Sequence, residues 1–99
     1  MSLRVVYTPT AQRELFEAKH FYDDERSGLG AEFLDIVAEA LELLVAYPES
    51  SPIVRGKVRR KVLRRFPYNL LYRIDGQRLR ILAVMNQKQK PSYWWGRVR

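Results

Sequence analysis

Five cations crowd the segment Val58-Arg-Arg-Lys-Val-Leu-Arg-Arg-Phe66, and further along Tyr93, Trp94 and Trp95 stand between Lys88 and Lys90 on one side and Arg97 and Arg99 on the other. Guanidinium and ammonium groups at this density bind phosphates or carboxylates. Aromatic rings among cations suit base stacking and cation–π contacts. Tyr93 is the hydroxyl of most interest, because a phenol near several cations can serve as general acid or base in phosphodiester cleavage once its pKa, ordinarily about 10, is lowered. The same aromatics also suit a tail docked on its own core, with at least one tryptophan packed against the parent domain. In a strand, alternation places Arg59, Lys61 and Arg65 on one face with Leu63, and Arg60 and Arg64 on the other with Val58 and Val62. If helices cover the second face, Arg60 and Arg64 must lie at its rim or pair with helix carboxylates. The alternative is a solvated sheet face with a few salt bridges.

The charge is segregated along the chain. Residues 1–54 carry four basic and ten acidic groups, a formal net of −6, while residues 55–99 carry fourteen basic groups against Asp75 alone, a net of +13. A soluble surface with no partner mixes the two signs, so this split points to a polyanion or an acidic protein segment as partner. Other chemistries find little support. There is no cysteine, and His20 is the lone histidine, so neither a disulfide framework nor a zinc site is expected, and no cofactor is implied. His20 reads as a surface residue, and Glu14, Glu17, Asp23, Asp24 and Glu25 read as a solvated helix face. No Ser-His-Asp set, phosphate-cradling glycine loop or paired carboxylates occur in a workable arrangement.

The elements that must position these residues follow from periodicity and punctuation. At 99 residues, with 46% hydrophobic and 29% charged side chains, the chain is expected to form one domain over residues 1–99. No apolar run reaches the ~18 residues that span a bilayer, and the first residues lack a signal peptide's apolar region, so a cytoplasmic location is expected. Residues 3–7 read as a short strand. Thr8-Pro9 suits a helix start, and Ala11, Leu15, Ala18 and Tyr22 recur at helical spacing with Phe21 widening the stripe. Ser27-Gly28 closes that helix with glycine in the left-handed conformation. A second helix over residues 30–47 turns Phe33, Val37, Ala40 and Leu44 inward, flanked by Leu34 and Leu41, and turns Glu32, Asp35, Glu39 and Glu42 outward. The short link predicts an antiparallel helical hairpin. Residues 48–57 read as a surface loop. Residues 58–66, 68–74 and 78–85 read as an antiparallel meander, with a bend at Phe66-Pro67 and a hairpin at Asp75-Gly76. The expected fold is α/β of the α+β kind: an N-terminal strand, a helical hairpin packed on an antiparallel sheet of about four strands, and a basic aromatic tail over residues 87–99.

Three segments together resemble the RelE/ParE toxin superfamily of bacterial type II toxin–antitoxin systems: Arg26-Ser-Gly-Leu-Gly-Ala-Glu-Phe-Leu34, Arg59-Arg-Lys-Val-Leu-Arg-Arg-Phe-Pro-Tyr68, and Leu71-Tyr-Arg-Ile-Asp-Gly76 leading into Ile81-Leu-Ala-Val84. The resemblance covers nearly the whole chain and implies a compact toxin held inactive by an acidic antitoxin in a hetero-oligomer, with roles in plasmid stabilisation and growth arrest. It implies two modes of action. RelE-like toxins cut messenger RNA on the ribosome, and ParE-like toxins bind and inhibit DNA gyrase. Carried over by position, the first nuclease cations fall on Arg59, Arg60 and Lys61 and the C-terminal tyrosine on Tyr93, with Lys88 adjacent to the position of a late cation. Asn69 stands where a middle-strand arginine is expected, Gln87 where a late cation is expected, and Asn86 where many relatives have histidine. A neutral amide does not replace a fixed positive charge on a phosphorane-like transition state. The Gly-Leu-Gly and Arg-Phe-Pro-Tyr segments resemble the ParE branch more closely.

Three readings result: a gyrase-binding toxin with no bond-making chemistry, a ribosome-dependent endoribonuclease, and a non-toxic basic module that binds nucleic acid. The surface expected to meet a target or an antitoxin comprises Arg59, Arg60, Lys61, Arg64, Arg65, Arg73, Lys88, Lys90, Tyr93 and Trp94. No membrane partner is expected.

Overall fold

The computed structural model describes residues 2–97 and contains a five-stranded mixed sheet with a helical hairpin on one face. In chain order the elements are β1 (Arg4–Tyr7), α1 (Pro9–Glu25), α2 (Leu29–Ala46), β2 (Ile53–Arg55), β3 (Val58–Val62), β4 (Tyr68–Asp75), β5 (Arg78–Asn86) and a C-terminal 3-10 helix (Pro91–Arg97). The sheet order is β1-β5-β4-β3-β2. β2 to β5 pair antiparallel, and β1 runs parallel to β5 with Arg4 opposite Arg78 and Tyr7 opposite Ile81.

Local signals explain most of these elements. The Thr8 side chain accepts a hydrogen bond from the Ala11 N–H at 3.2 Å, and Pro9 follows at a position where its missing N–H costs nothing. Gly28 takes a φ of 88°, which lets the chain reverse between the helices. The two helices then approach at Gly30, whose N–H donates to Asp23 Oδ1 at 2.7 Å. A Cβ there would lie 2.5 Å from the Lys19 carbonyl oxygen.

The predicted stripes enter the core: Ala11, Leu15, Ala18 and Tyr22 from α1, and Phe33, Val37, Ala40 and Leu44 from α2. They meet Leu70, Tyr72, Leu79, Ile81 and Val84 on the helix-side face of the sheet. Tyr22, Phe33, Phe66 and Tyr68 form an aromatic knot, with Tyr22–Phe66 centroids 4.8 Å apart and Phe33–Phe66 centroids 5.3 Å apart. Phe21, expected to widen the α1 stripe, is instead 55% exposed and lines an open cleft beside Tyr68, Val84 and Met85.

Three further expectations change. The sheet has five strands rather than about four, and β1 makes it mixed rather than antiparallel. β2 lies inside the segment read as a loop; its three residues are all exposed, so no alternation marks them. β3 stops at Val62 instead of continuing to Phe66, because Arg65 turns at φ 70° and Phe66 N–H bonds back to the Arg64 carbonyl at 2.8 Å. The turn sends both Leu63 and Phe66 into the core and leaves Arg64 and Arg65 outside, which strict alternation would not do.

Replacing Gly30 with alanine should lower stability by about 1–3 kcal/mol, since the added methyl meets a helix backbone that cannot yield. Urea unfolding should show an earlier midpoint at unchanged slope.

Candidate functional site

The helices cover the face that carries Arg59 and Lys61, not the face that carries Arg60. Arg59 stands opposite Tyr72 and Lys61 opposite Leu70, both in the helix-side core, whereas Arg60 stands opposite Leu71 on the outer face. The Arg59 guanidinium is committed locally, donating to the carbonyls of Ser51 at 2.8 Å and Glu49 at 3.2 Å. It pins the 48–52 segment against β3. Tyr72 does the same from the next strand, donating its hydroxyl to the Pro48 carbonyl at 2.8 Å.

Arg64 and Arg65 reach back to α2. Arg64 pairs with Glu39 at 2.7 Å, and Arg65 pairs with Glu32, which also accepts from Arg26 at 3.0 Å. Hydrogen bonds from Arg65 and then Arg26 hold the Glu32 carboxyl below the usual carboxylate range. Between this turn and α2 runs a shallow groove of about 170 Å³ with Ile36, Ala40, Leu43, Val62 and Leu63 along it and Lys61 at its rim. Leu43 and Val62 are exposed.

The outer face divides in two. Val58, Leu71, Leu82, Ala83 and Met85 form an apolar seat for Trp94, which is 3% exposed. A bulge makes the seat possible: Leu71 pairs with Ala83 and Tyr72 with Ile81, so Leu82 is the extra residue and both Leu82 and Ala83 join the outer cluster. The expectation that at least one tryptophan docks is met by Trp94, whose ring is thereby buried rather than presented to a partner. Trp95 remains exposed beneath the Arg55 guanidinium, 4.2 Å from its ring centroid.

Glu14, expected on a solvated helix face, is 8% exposed and structural. β1 accompanies β5 only as far as Ile81, so the next part of that strand edge needs other partners. Glu14 Oε1 accepts from the Val84 N–H at 3.1 Å, and Arg97 donates to the Leu82 carbonyl at 3.1 Å. Arg97 and Glu14 also join through two hydrogen bonds of 2.9 and 3.0 Å. The missed signal is position: Glu14 lies three residues after Ala11 and four before Ala18, within the buried stripe.

Of the cleavage set, Tyr93 and Lys88 follow β5, while Arg59, Arg60 and Lys61 belong to β3. Tyr93 lies beyond β5, 39% exposed, with the Arg97 guanidinium 4.6 Å from its ring and Glu14, Glu17 and Tyr68 along the adjoining cleft. Arg59, Arg60 and Lys61 lie on β3, on the other side of β4. Lys88 and Lys90 are exposed in the segment after β5, and Arg73 pairs with Asp75 at 2.9 Å. Asn69 is only 7% exposed, and its Oδ1 accepts from Gln87 Nε2 at 3.3 Å. The two amides that replace expected cations therefore bond to each other.

Known proteins give a consistent comparison. A family model described as ParE toxin of type II toxin–antitoxin system, parDE, matches residues 5–91. A solved structure titled "Chromosomal ParDE TA system from P. aeruginosa" is similar in fold, with a TM-score of 0.74 at 18% identity over 85% of this chain and 95% of that one. No curated protein matches.

Two outcomes follow from the charged contacts. Arg97→Ala should release the C-terminal helix, costing about 1.5–3 kcal/mol through the lost charge-assisted bonds and shifting tryptophan emission to the red as Trp94 meets water. The Glu32 carboxyl, held low in the folded protein, contributes stability that is present above its ordinary value of 4.5 and is lost as pH falls through its folded value. Thermal unfolding of Glu32→Gln should accordingly fall less steeply than that of the parent as pH is lowered below 4.5.

Proposed function

We propose that this chain, which belongs to the ParE toxin family of type II toxin–antitoxin systems, acts in the cytoplasm by binding and inhibiting DNA gyrase, with no bond-making chemistry of its own. The observation that carries this reading is the Asn69–Gln87 pair. Phosphodiester cleavage develops negative charge that fixed cations stabilise, and two hydrogen-bonded neutral amides cannot supply that field. A general acid or base must come within hydrogen-bond reach of the reacting group, and the placement of Tyr93 after β5 with Arg59, Arg60 and Lys61 on β3, across β4, supports the same reading.

The neutralising partner is a cognate acidic antitoxin. Its amphipathic segment fits the groove between α2 and β3, where Leu43 and Val62 offer exposed apolar surface and Lys61 and Arg64 offer charge at the rim. Arg64 and Arg65 already pair with α2 carboxylates, so an antitoxin carboxylate would compete for them. Growth arrest and plasmid stabilisation are then consequences of gyrase inhibition when the antitoxin is lost.

The test is a supercoiling assay with purified gyrase and relaxed plasmid. Added toxin should block supercoiling or trap cleaved DNA, and Tyr93→Phe should inhibit as well as the parent. No effect on gyrase at saturating toxin would refute the proposal, and codon-phased cuts in messenger RNA abolished by Tyr93→Phe would replace it with ribosome-dependent cleavage.

A further inference from the structure

The end of the outer sheet face farthest from Trp94 carries a second cluster of charge, at positions outside the surface assigned to gyrase or antitoxin except for Arg73. Arg4, Arg78 and Asp75 form one row across β1, β5 and β4, and Arg80 and Arg73 stand opposite each other in the next row. All five lie on the face away from the helices, since the alternating residues Leu79, Ile81 and Tyr72 enter the helix-side core. The Arg4 N–H donates to the Gln77 carbonyl at 2.8 Å, which fixes β1 against the hairpin.

One carboxylate stands among four guanidinium groups here and bonds two of them. Asp75 accepts from Arg73 at 2.9 and 3.0 Å and from Arg80 at 3.2 Å. Arg4 and Arg78 are exposed and have no ion pair among the described residues. Strands lie about 4.8 Å apart and same-face neighbours about 6.7 Å apart, so these charges fall within about one Debye length at 0.1 M salt. Arg4 directly opposite Arg78, and Arg73 directly opposite Arg80, are like-charge pairs that destabilise a sheet and that a bound anion would relieve. Two open clefts flank the patch and share Arg78 and Asp75, one reaching Arg80 and Thr8, the other reaching Arg4 and Ser2.

We propose that the patch of Arg4, Arg73, Arg78 and Arg80 binds the phosphate backbone of duplex DNA. Charge complementarity selects a polyanion, and the lack of an exposed ring on β1, β4 or β5 among the described residues selects its form; Tyr7, which lines one of the clefts, is half-buried. The exposed aromatics among the described residues are Phe16, Phe21, Tyr47, Tyr93 and Trp95, none of them on β1, β4 or β5. Single-strand binding uses such rings to stack unpaired bases, whereas guanidinium contacts to phosphates suffice to hold a duplex without reading its sequence. Asp75 tempers the patch by neutralising part of Arg73 and Arg80.

The experiment is fluorescence anisotropy with the purified full chain and a labelled random-sequence 20-base-pair duplex across a sodium chloride series. The parent should bind more weakly as salt rises, and R4Q/R78Q should weaken binding about tenfold and reduce the log–log salt slope by about 1.8, the loss of two phosphate contacts. Asp75→Asn should change affinity in the opposite direction, and K88Q/K90Q should leave the slope unchanged. Unaltered affinity and slope in R4Q/R78Q, an unaltered affinity in Asp75→Asn, or tighter binding to the single strand than to the duplex would each overturn the proposal. The assay contains neither gyrase nor antitoxin, so its result is separable from that of the supercoiling assay.

Discussion

The backbone of β5 must find hydrogen-bond partners on both edges, yet β1 accompanies only residues 78–81. An unsatisfied buried N–H or carbonyl costs about 1–3 kcal/mol, and an open edge invites another chain. The fold answers with side chains. Glu14 takes the Val84 N–H, Arg97 takes the Leu82 carbonyl, and the two close on each other around the end of the sheet. Because Arg97 reaches that point only if the C-terminal helix crosses the outer face, the seat of Trp94 and the placement of Tyr93 follow from the same requirement. The bulge at Leu82 completes it by turning one more apolar side chain toward Trp94.

The charge split acquires a structural meaning from this arrangement. Acidic groups of the helical hairpin are partly consumed by their own sheet: Glu32 and Glu39 hold Arg65 and Arg64, and Glu14 holds Arg97. What remains positive is distributed over distinct surfaces. One lies at Lys61 beside the α2–β3 groove, along which Leu43 and Val62 are exposed. Another lies at the hairpin end of the outer face, where Arg4 and Arg78 are unpaired among the described residues and no exposed ring accompanies them. A single net charge would describe neither.

Much of the fold was legible in the sequence because its signals are local and redundant. Thr8-Pro9, the left-handed Gly28 and the 3.6-residue stripes located both helices, and Asp75-Gly76 located the β4–β5 turn, with Gly76 at φ 59°. What escaped was non-local or irregular. β2 is three exposed residues held by pairing to β3, so it has no periodicity to find. The left-handed turn at Arg65 reverses the side assignment after Val62, and nothing in the residue type announces it, since a non-glycine residue at positive φ is uncommon. The parallel pairing of β1 depends on a strand 74 positions away, as Arg4 to Arg78 shows. For the site, the types of residue were visible, but which cations stay free depended on partners contributed by α2 and the 48–52 segment.

Arg59 and Arg78 differ in what the fold leaves free on their guanidinium groups. Both are arginines on strands of one basic half-chain, and composition treats them alike. Arg59 donates through Nη1 to two backbone carbonyls and so holds a loop in place, which fixes its orientation and leaves only its remaining N–H groups for another acceptor. Arg78 has an exposed side chain, a like charge beside it on β1, and a carboxylate opposite that is already shared by Arg73 and Arg80. An incoming anion there displaces no protein bond and relieves repulsion. At Asn69 and Gln87 the same accounting finds two neutral amides that satisfy each other. Which guanidinium groups stay open to an anion is thus decided by the partners the fold supplies: Arg4 and Arg78 have no ion pair among the described residues, whereas Arg64, Arg65 and Arg97 each hold a carboxylate of the helical hairpin.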